Sequence, residues 1–229
     1  MIQLIKNLFF WGLDYWYVFK EQIASVLSRS KPSMYRNKNG QPVILIPGIY
    51  ENWRFMRPVA RLLYLNGYDV HIIEDLGFNR GTIEEMATYV ETYIAAQHLT
   101  GVTLVAHSKG GLIGKYVLST ITTLHVLRGL ITLNTPFSGS KYARFLPLKS
   151  LRIFIPSSPA LLGLAKDTLV NSRIVSLYGI FDPHIPGGSL VDGAKNIQLP
   201  VYGHFRIMNS VVVHDAILEN IDSRKESTS

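Results

Sequence analysis

Cysteine is absent from the chain. Disulfides, cysteine-ligated metal sites and a catalytic thiol are therefore excluded, while the cellular compartment stays open. Charge is scarce, with 17% Asp, Glu, Lys and Arg against 47% apolar residues, a balance that excludes a disordered chain. No window approaches the ~20 apolar residues that a bilayer span requires. The 7 histidines do not cluster at metal-ligand spacing, so neither a metal nor a cofactor is expected. Internal repeats and low-complexity stretches are missing too. The net charge of +7 comes with no nucleic-acid-reading motif, so nucleic acid is not an expected partner. A basic, apolar-rich protein could instead meet an anionic lipid surface, and simple solubility is the alternative reading.

What is present centres on Val102-Thr103-Leu104-Val105-Ala106-His107-Ser108-Lys109-Gly110-Gly111. A β-branched apolar run stops at a serine, two glycines follow, and Leu112 to Leu118 continue with helical spacing. This is strand, sharp turn and helix, with Ser108 on the turn in a strained backbone conformation. Ala106 and Gly110 are small where a larger side chain would strike the neighbouring strand or helix. The helix points its free N–H groups and positive dipole end at the serine, where they can stabilise an oxyanion.

The 229 residues suit one domain, by a prior of roughly 150 residues each. Six strands are expected, at 43–46, 68–73, 102–107, 128–133, 173–179 and 196–201. Amphipathic helices fall between them, one opened by a capping box from Thr82 to Glu85 and a terminal one over 208–221. Alternating apolar strands and helices imply a mostly parallel sheet covered on both faces. Its ligand site would lie beyond the carboxyl ends of the strands. Residues 43–222 would be the catalytic domain, 137–172 its longest insertion, and 223–229 a tail.

Residues 1–42 stand apart. Ile2, Ile5, Phe9, Leu13 and Trp16 recur at helical spacing, and Lys6, Asp14 and Lys20 interrupt the run. The apolar stretch is short, with no small-residue cleavage site after it, so it does not read as a signal peptide. Two readings stay open for residues 1–30. One is an amphipathic helix lying in a membrane interface; the other is a helix packed on the protein or on a partner. The expected location is cytoplasmic, with peripheral membrane contact under the first reading. Residues 31–42, with Pro32, Gly40 and Pro42, read as a linker.

A serine hydroxyl needs a base to take its proton and a third group to orient that base. Among α/β-hydrolases, which carry a serine on such a turn, the chain order is serine, then acid, then histidine. Asp182 lies in the loop straight after a strand, and His204 follows the last strand just before the terminal helix. Asp167, in a helical stretch, and Asp192, in a Gly-rich loop, have weaker claims; Asp75 breaks the order. His214 falls inside the terminal helix, His184 is not at a strand end preceding a helix, and the side chain of His107 alternates away from that of Ser108 into packing. An oxyanion hole needs two N–H groups. Lys109 supplies one; Ile49, after Pro47-Gly48, supplies the other, with Tyr50 as runner-up.

These residues resemble the α/β-hydrolases of the bacterial lipase and esterase group. The likeness rests on Ile46-Pro47-Gly48-Ile49, Ala106-His107-Ser108-Lys109-Gly110-Gly111, Leu133-Asn134-Thr135-Pro136 with Gly139-Ser140, Gly179-Ile180-Phe181-Asp182 and Gly203-His204-Phe205. They span roughly residues 43–210. Pro47 stands where a His is usual, and Ala106 where the first Gly is usual. The resemblance implies the α/β-hydrolase fold and hydrolysis of carboxylic esters, lipid-like ones included, through an acyl-enzyme. It makes 137–172 a cap or lid, whose Phe145, Leu146, Leu151, Ile153, Phe154 and Ile155 would line an acyl pocket while Lys141, Arg144, Lys149 and Arg152 meet lipid. A plain helical layer completing the core is the alternative for that segment. The same three groups also serve thioesterases, acyltransferases and amidases, which the sequence does not separate. A non-catalytic membrane-surface scaffold is the reading from another class.

Overall fold

The structure is a computed structural model that describes residues 2–121, 123, 125–145 and 148–226. Leu146, read above as a pocket residue, lies outside the described residues, as do the side chains of Ile2, Ile5, Lys6 and Lys149.

The described chain runs through helix α1 (Ile2–Leu27), strand β1 (Pro42–Ile46), α2 (Arg57–Leu65), β2 (Asp69–Ile72), α3 (Ile83–Ala96), β3 (Val102–His107), α4 (Lys109–Thr120), β4 (Leu127–Leu133), α5 (Pro159–Lys166), β5 (Ile174–Phe181), β6 (Lys195–Tyr202) and α6 (Val211–Glu226). The six strands form one sheet in the order β2-β1-β3-β4-β5-β6, every neighbouring pair parallel. Each expected strand is present. Parallel neighbours need crossover connections; helices supply them between β1 and β5, and a loop over 182–194 joins β5 to β6.

The period of two along a strand divides the core. Val43, Leu45 and Val105 face α2 and α6, together with Val59, Leu63 and Ile217. Ile44, Ile46 and Leu104 face α3 and α4, together with Val90 and Ile113. Burial on both faces explains why β1 reads as a continuous apolar run instead of an alternating one.

Helix boundaries follow local chemistry. Thr82 accepts the Glu85 N–H and Glu85 accepts the Thr82 N–H, the capping box that starts α3. The C-terminal helix starts later than its pattern suggested: a 3₁₀ turn over Arg206–Asn209 precedes α6. The insertion is mostly 3₁₀ turns around α5. Phe154, Leu161 and Leu164 are buried in the α3/α4 core, while Phe145 is exposed.

α1 packs on the body through a face other than the one its apolar spacing suggests. Asp14 and Tyr17 are buried, whereas Phe9 and Trp16 are exposed. Tyr17 meets Phe55 edge-on at 6.1 Å, Phe10 stacks on Tyr202 at 4.2 Å, and Glu21 pairs with Arg57 at 3.3 Å. The stretch that composition reads as a linker is fastened as well: Arg36 makes a two-pronged ion pair with Asp69 at 2.7 and 2.9 Å.

Leu104→Ala, at a fully buried position, should cost about 2–5 kcal/mol. Leu65→Ala, at a residue 68% exposed, should stay within about 0.5 kcal/mol. Urea unfolding of the two variants beside the wild type checks both values.

Candidate active site

Ser108 joins β3 to α4 with φ +51° and ψ −121°, a conformation L-residues seldom adopt and which turns the chain sharply. Its N–H donates to the Leu133 carbonyl at 2.9 Å, and Thr135 Oγ1 donates to its carbonyl at 2.9 Å. The glycines after it are required by close approach. A Cβ on Gly110 would lie 2.2 Å from the Ile46 carbonyl oxygen, and one on Gly111 would lie 2.0 Å from Thr135 Oγ1.

The structure brings Ser108, His204 and Asp182 together at the carboxyl ends of β3, β6 and β5. His204 Nδ1 lies 2.6 Å from Asp182 Oδ2, and His204 Nε2 lies 2.9 Å from Ser108 Oγ. A carboxylate only accepts, so Nδ1 carries the hydrogen and the Nε2 lone pair faces the serine hydroxyl. Asp182 Oδ1 takes the N–H groups of His184 at 2.8 Å and Ile185 at 3.1 Å. Burial by itself would push the Asp182 carboxyl up, but the neighbouring His204 and these hydrogen bonds outweigh it and hold it below the usual range. For His204 burial works downward; the Asp182 charge and hydrogen bond, with Asp14 and Glu51 nearby, outweigh it and raise the imidazole above its ordinary value.

The N–H of Ile49, and that of Lys109 at the first position of α4, have no protein partner among the described residues. Tyr50, the other candidate, donates its N–H to the Phe78 carbonyl at 2.8 Å and is spent. Ile49 and Ser108 share the wall of a cleft of about 760 Å³. α1 lines one side of it with Leu8, Trp11, Tyr15 and Val18, and the insertion lines another with Tyr142, Leu151 and Phe154. The Tyr50 hydroxyl and Ser150 Oγ are hydrogen-bonded, joining the loop after β1 to the insertion.

The lipase BlEst2 of Bacillus licheniformis is similar in fold, with a TM-score of 0.62 at 14% identity over 81% of this chain and 94% of its own. The chain has the α/β-hydrolase fold. No protein-family model matches it. Triacylglycerol lipases of Pseudarthrobacter phenanthrenivorans and Burkholderia plantarii are each 31% identical to it over 115 residues, 45% of this chain. Those matches cover 35% and 32% of the two lipases, so the shared stretch is about a third of their length.

Within this fold the competing residues lie elsewhere. Asp75 is exposed in the 3₁₀ turn Glu74–Leu76, Asp167 ends α5, and Asp192 sits in the loop before β6. His214 donates to the Met208 carbonyl at 2.8 Å. His107 is buried, with Nδ1 at 2.9 Å from the Glu51 carboxylate and Nε2 at 3.0 Å from the His204 carbonyl. His184 stands 4.9 Å from His204, ring to ring; burial, with His204 beside it, pushes it down to about 4.

Several contributors were not read from the sequence. Glu51 accepts the Gly48 N–H at 2.8 Å and holds His107. The Asn134 amide donates to the carbonyls of Gly203 and His204, both at 3.0 Å, and its oxygen takes the Gly179 N–H. Asp14 accepts the His204 N–H at 2.7 Å. For Asp14 the signal was there, a lone acid in an apolar helical run; Asn134 stands in a stretch that carries the resemblance but was given no role, and Glu51 carries no local signature. Lys109 was read for its backbone only. Its side chain is buried, and its Nζ donates to Asn79 O at 2.9 Å, Asn79 Oδ1 at 3.1 Å and the Gly81 carbonyl. Asn79 in turn donates to the Pro47 carbonyl at 2.6 Å. Burial pushes the Lys109 ammonium down to about 8, against the pull of Glu85 and Glu84.

Lys109→Met leaves those acceptors unpaired, and thermal unfolding should show a loss of about 2 kcal/mol or more. A melting curve matching the wild type would contradict the clamp.

Proposed function

We propose that the protein is a serine ester hydrolase acting on carboxylic esters with an apolar acyl chain. The observation that carries this is the chain of hydrogen bonds Ser108–His204–Asp182 opening into an apolar-walled cleft. The similarity to triacylglycerol lipases supports it.

In this reading Ser108 Oγ attacks the ester carbonyl carbon while His204 Nε2 takes its proton. Asp182 holds the imidazole by Nδ1 and balances the positive charge that forms. The carbonyl oxygen becomes an oxyanion between the N–H groups of Ile49 and Lys109. Collapse of the tetrahedral intermediate breaks the bond to the alcohol, which leaves with the proton from His204, and the acyl group stays on Ser108. Water then repeats the sequence, activated by His204, and releases the acid.

Residues 43–222 form the catalytic domain in this proposal, and 137–172 and α1 together cap the cleft. The exposed face of α1 favours a lipid surface as the source of substrate. Phe9, Trp16, Phe19 and Ile23 are between 45% and 61% exposed, with the exposed Lys20 one turn after Trp16 at the edge of that row. Aromatic rings in such a row suit the headgroup level of a membrane.

Three outcomes are expected. Ser108→Ala should lower kcat on p-nitrophenyl esters by about 10⁴-fold or more, and an unchanged rate would reject the mechanism. A general base must be neutral, so activity should fall as pH drops through the His204 titration. With that imidazole raised, the acid midpoint of kcat/KM should lie above the ordinary histidine value of about 6.5; a midpoint below it would contradict the raised imidazole, and a rate independent of pH across this range would reject a histidine base. Flotation with vesicles of anionic phospholipid should be reduced in the double variant Trp16→Ser/Phe19→Ser, and equal flotation would reject the membrane contact.

A further inference from the structure

The lone carboxylate in the α1 run from Asn7 to Phe19 is Asp14, and it is fully buried. Its Oδ2 accepts the N–H of His204 at 2.7 Å. Its Oδ1 accepts the N–H groups of Phe205 and Arg206, each at 3.0 Å. Three consecutive N–H groups at the entry to a 3₁₀ turn thus converge on one side chain, the backbone concavity that suits an anion. Gly203 is fitted to this contact. Its φ is +110°, and a Cβ there would lie 2.4 Å from Asp14 Oδ1.

The opposite side of the same residue is held as well. The His204 carbonyl meets His107 Nε2 and Asn134 Nδ2, both at 3.0 Å. Asp14 therefore completes a clamp on the residue whose ring reaches both Ser108 and Asp182.

We infer that Asp14 is a positioning residue of the catalytic assembly: from α1 it fixes the backbone of His204 and adds negative charge beside its ring. The inference rests on the reading of His204 as the base. The titratable groups facing His204 are Asp14 from α1, Glu51 after β1, His107 from β3, and Asp182 and His184 after β5. Burial lowers the imidazole, and Asp182, Asp14 and Glu51 raise it. Asp14 is itself raised by burial, against the three N–H groups and His204. Because α1 also lines the cleft with Leu8, Trp11 and Tyr15, one helix both contacts the substrate space and holds the base.

The test compares Asp14→Asn, Asp14→Glu, Glu21→Gln and the wild type on one p-nitrophenyl ester across pH. Asp14→Asn keeps the shape, removes the charge, and turns an NH₂ toward one of the three donors. Its kcat should fall about 10- to 100-fold with KM within about threefold, and the acid limb of kcat/KM should move to lower pH. Asp14→Glu keeps the charge but displaces the acceptor, so kcat should fall with the limb unmoved; it carries the test if Asp14→Asn does not fold. Glu21→Gln loosens α1 at its Arg57 contact and should leave the limb in place. An Asp14→Asn variant with wild-type kcat and limb overturns the inference, as does an equal loss in Glu21→Gln with no limb shift in either variant. A wild type that hydrolyses no ester removes the reading of His204 and the inference with it. An active wild type, an inactive Ser108→Ala and an unaffected Asp14→Asn would defeat the Asp14 inference alone.

Discussion

The close approach of α4 to the end of β1 sets the geometry of the whole site. The Gly110 α-carbon comes so near the Ile46 carbonyl that no side chain fits between them. With the helix start pressed onto the sheet, the connecting residue has no room for an ordinary turn and takes a positive φ. Such a backbone conformation costs about 1–3 kcal/mol. It is offset by the hydrogen bonds from Ser108 to Leu133 and from Thr135 to Ser108, and by the Lys109 ammonium buried among carbonyls. The same constraint places Ser108 on the wall of the cleft.

Around that turn the buried polar groups form one connected set. Glu51, His107, Asn134 and Asp14 do not reach Ser108, yet each hydrogen-bonds the backbone of a loop that meets the site. In a low-dielectric interior such bonds are strong, and an unpaired member would be costly. The loops at the carboxyl edge are therefore held by side chains from several elements, which lets residues distant in sequence keep hydrogen-bonding distance.

Much of the fold was legible in the sequence because strands buried on both faces leave uninterrupted β-branched runs. The turn at Ser108 was legible because steric crowding demands small residues at fixed offsets. Asp182 and His204, which the structure hydrogen-bonds into one chain with Ser108, were candidates because each follows a strand end, in the chain order of the family that the sequence resembles. The clamps were not legible. The bonds from Glu51 to His107, from Asn134 to the His204 carbonyl and from the Lys109 side chain to Gly81 span 28 to 70 residues of sequence, and they exist only once the loops are folded together. For α1 the apolar spacing pointed to Phe9 and Trp16, while the helix is seated by Asp14 and Tyr17. A carboxylate meeting three N–H groups outweighs what a periodic apolar stripe can signal.

The central claim is that Ser108 forms a covalent intermediate. The most direct measurement is peptide mass mapping after reaction with a fluorophosphonate, which mimics the tetrahedral intermediate and stays bound. The account predicts one phosphonyl group per chain, on the peptide carrying Ser108. A folded protein that takes up no label with detergent or lipid present, or that carries the label on another residue, would contradict it.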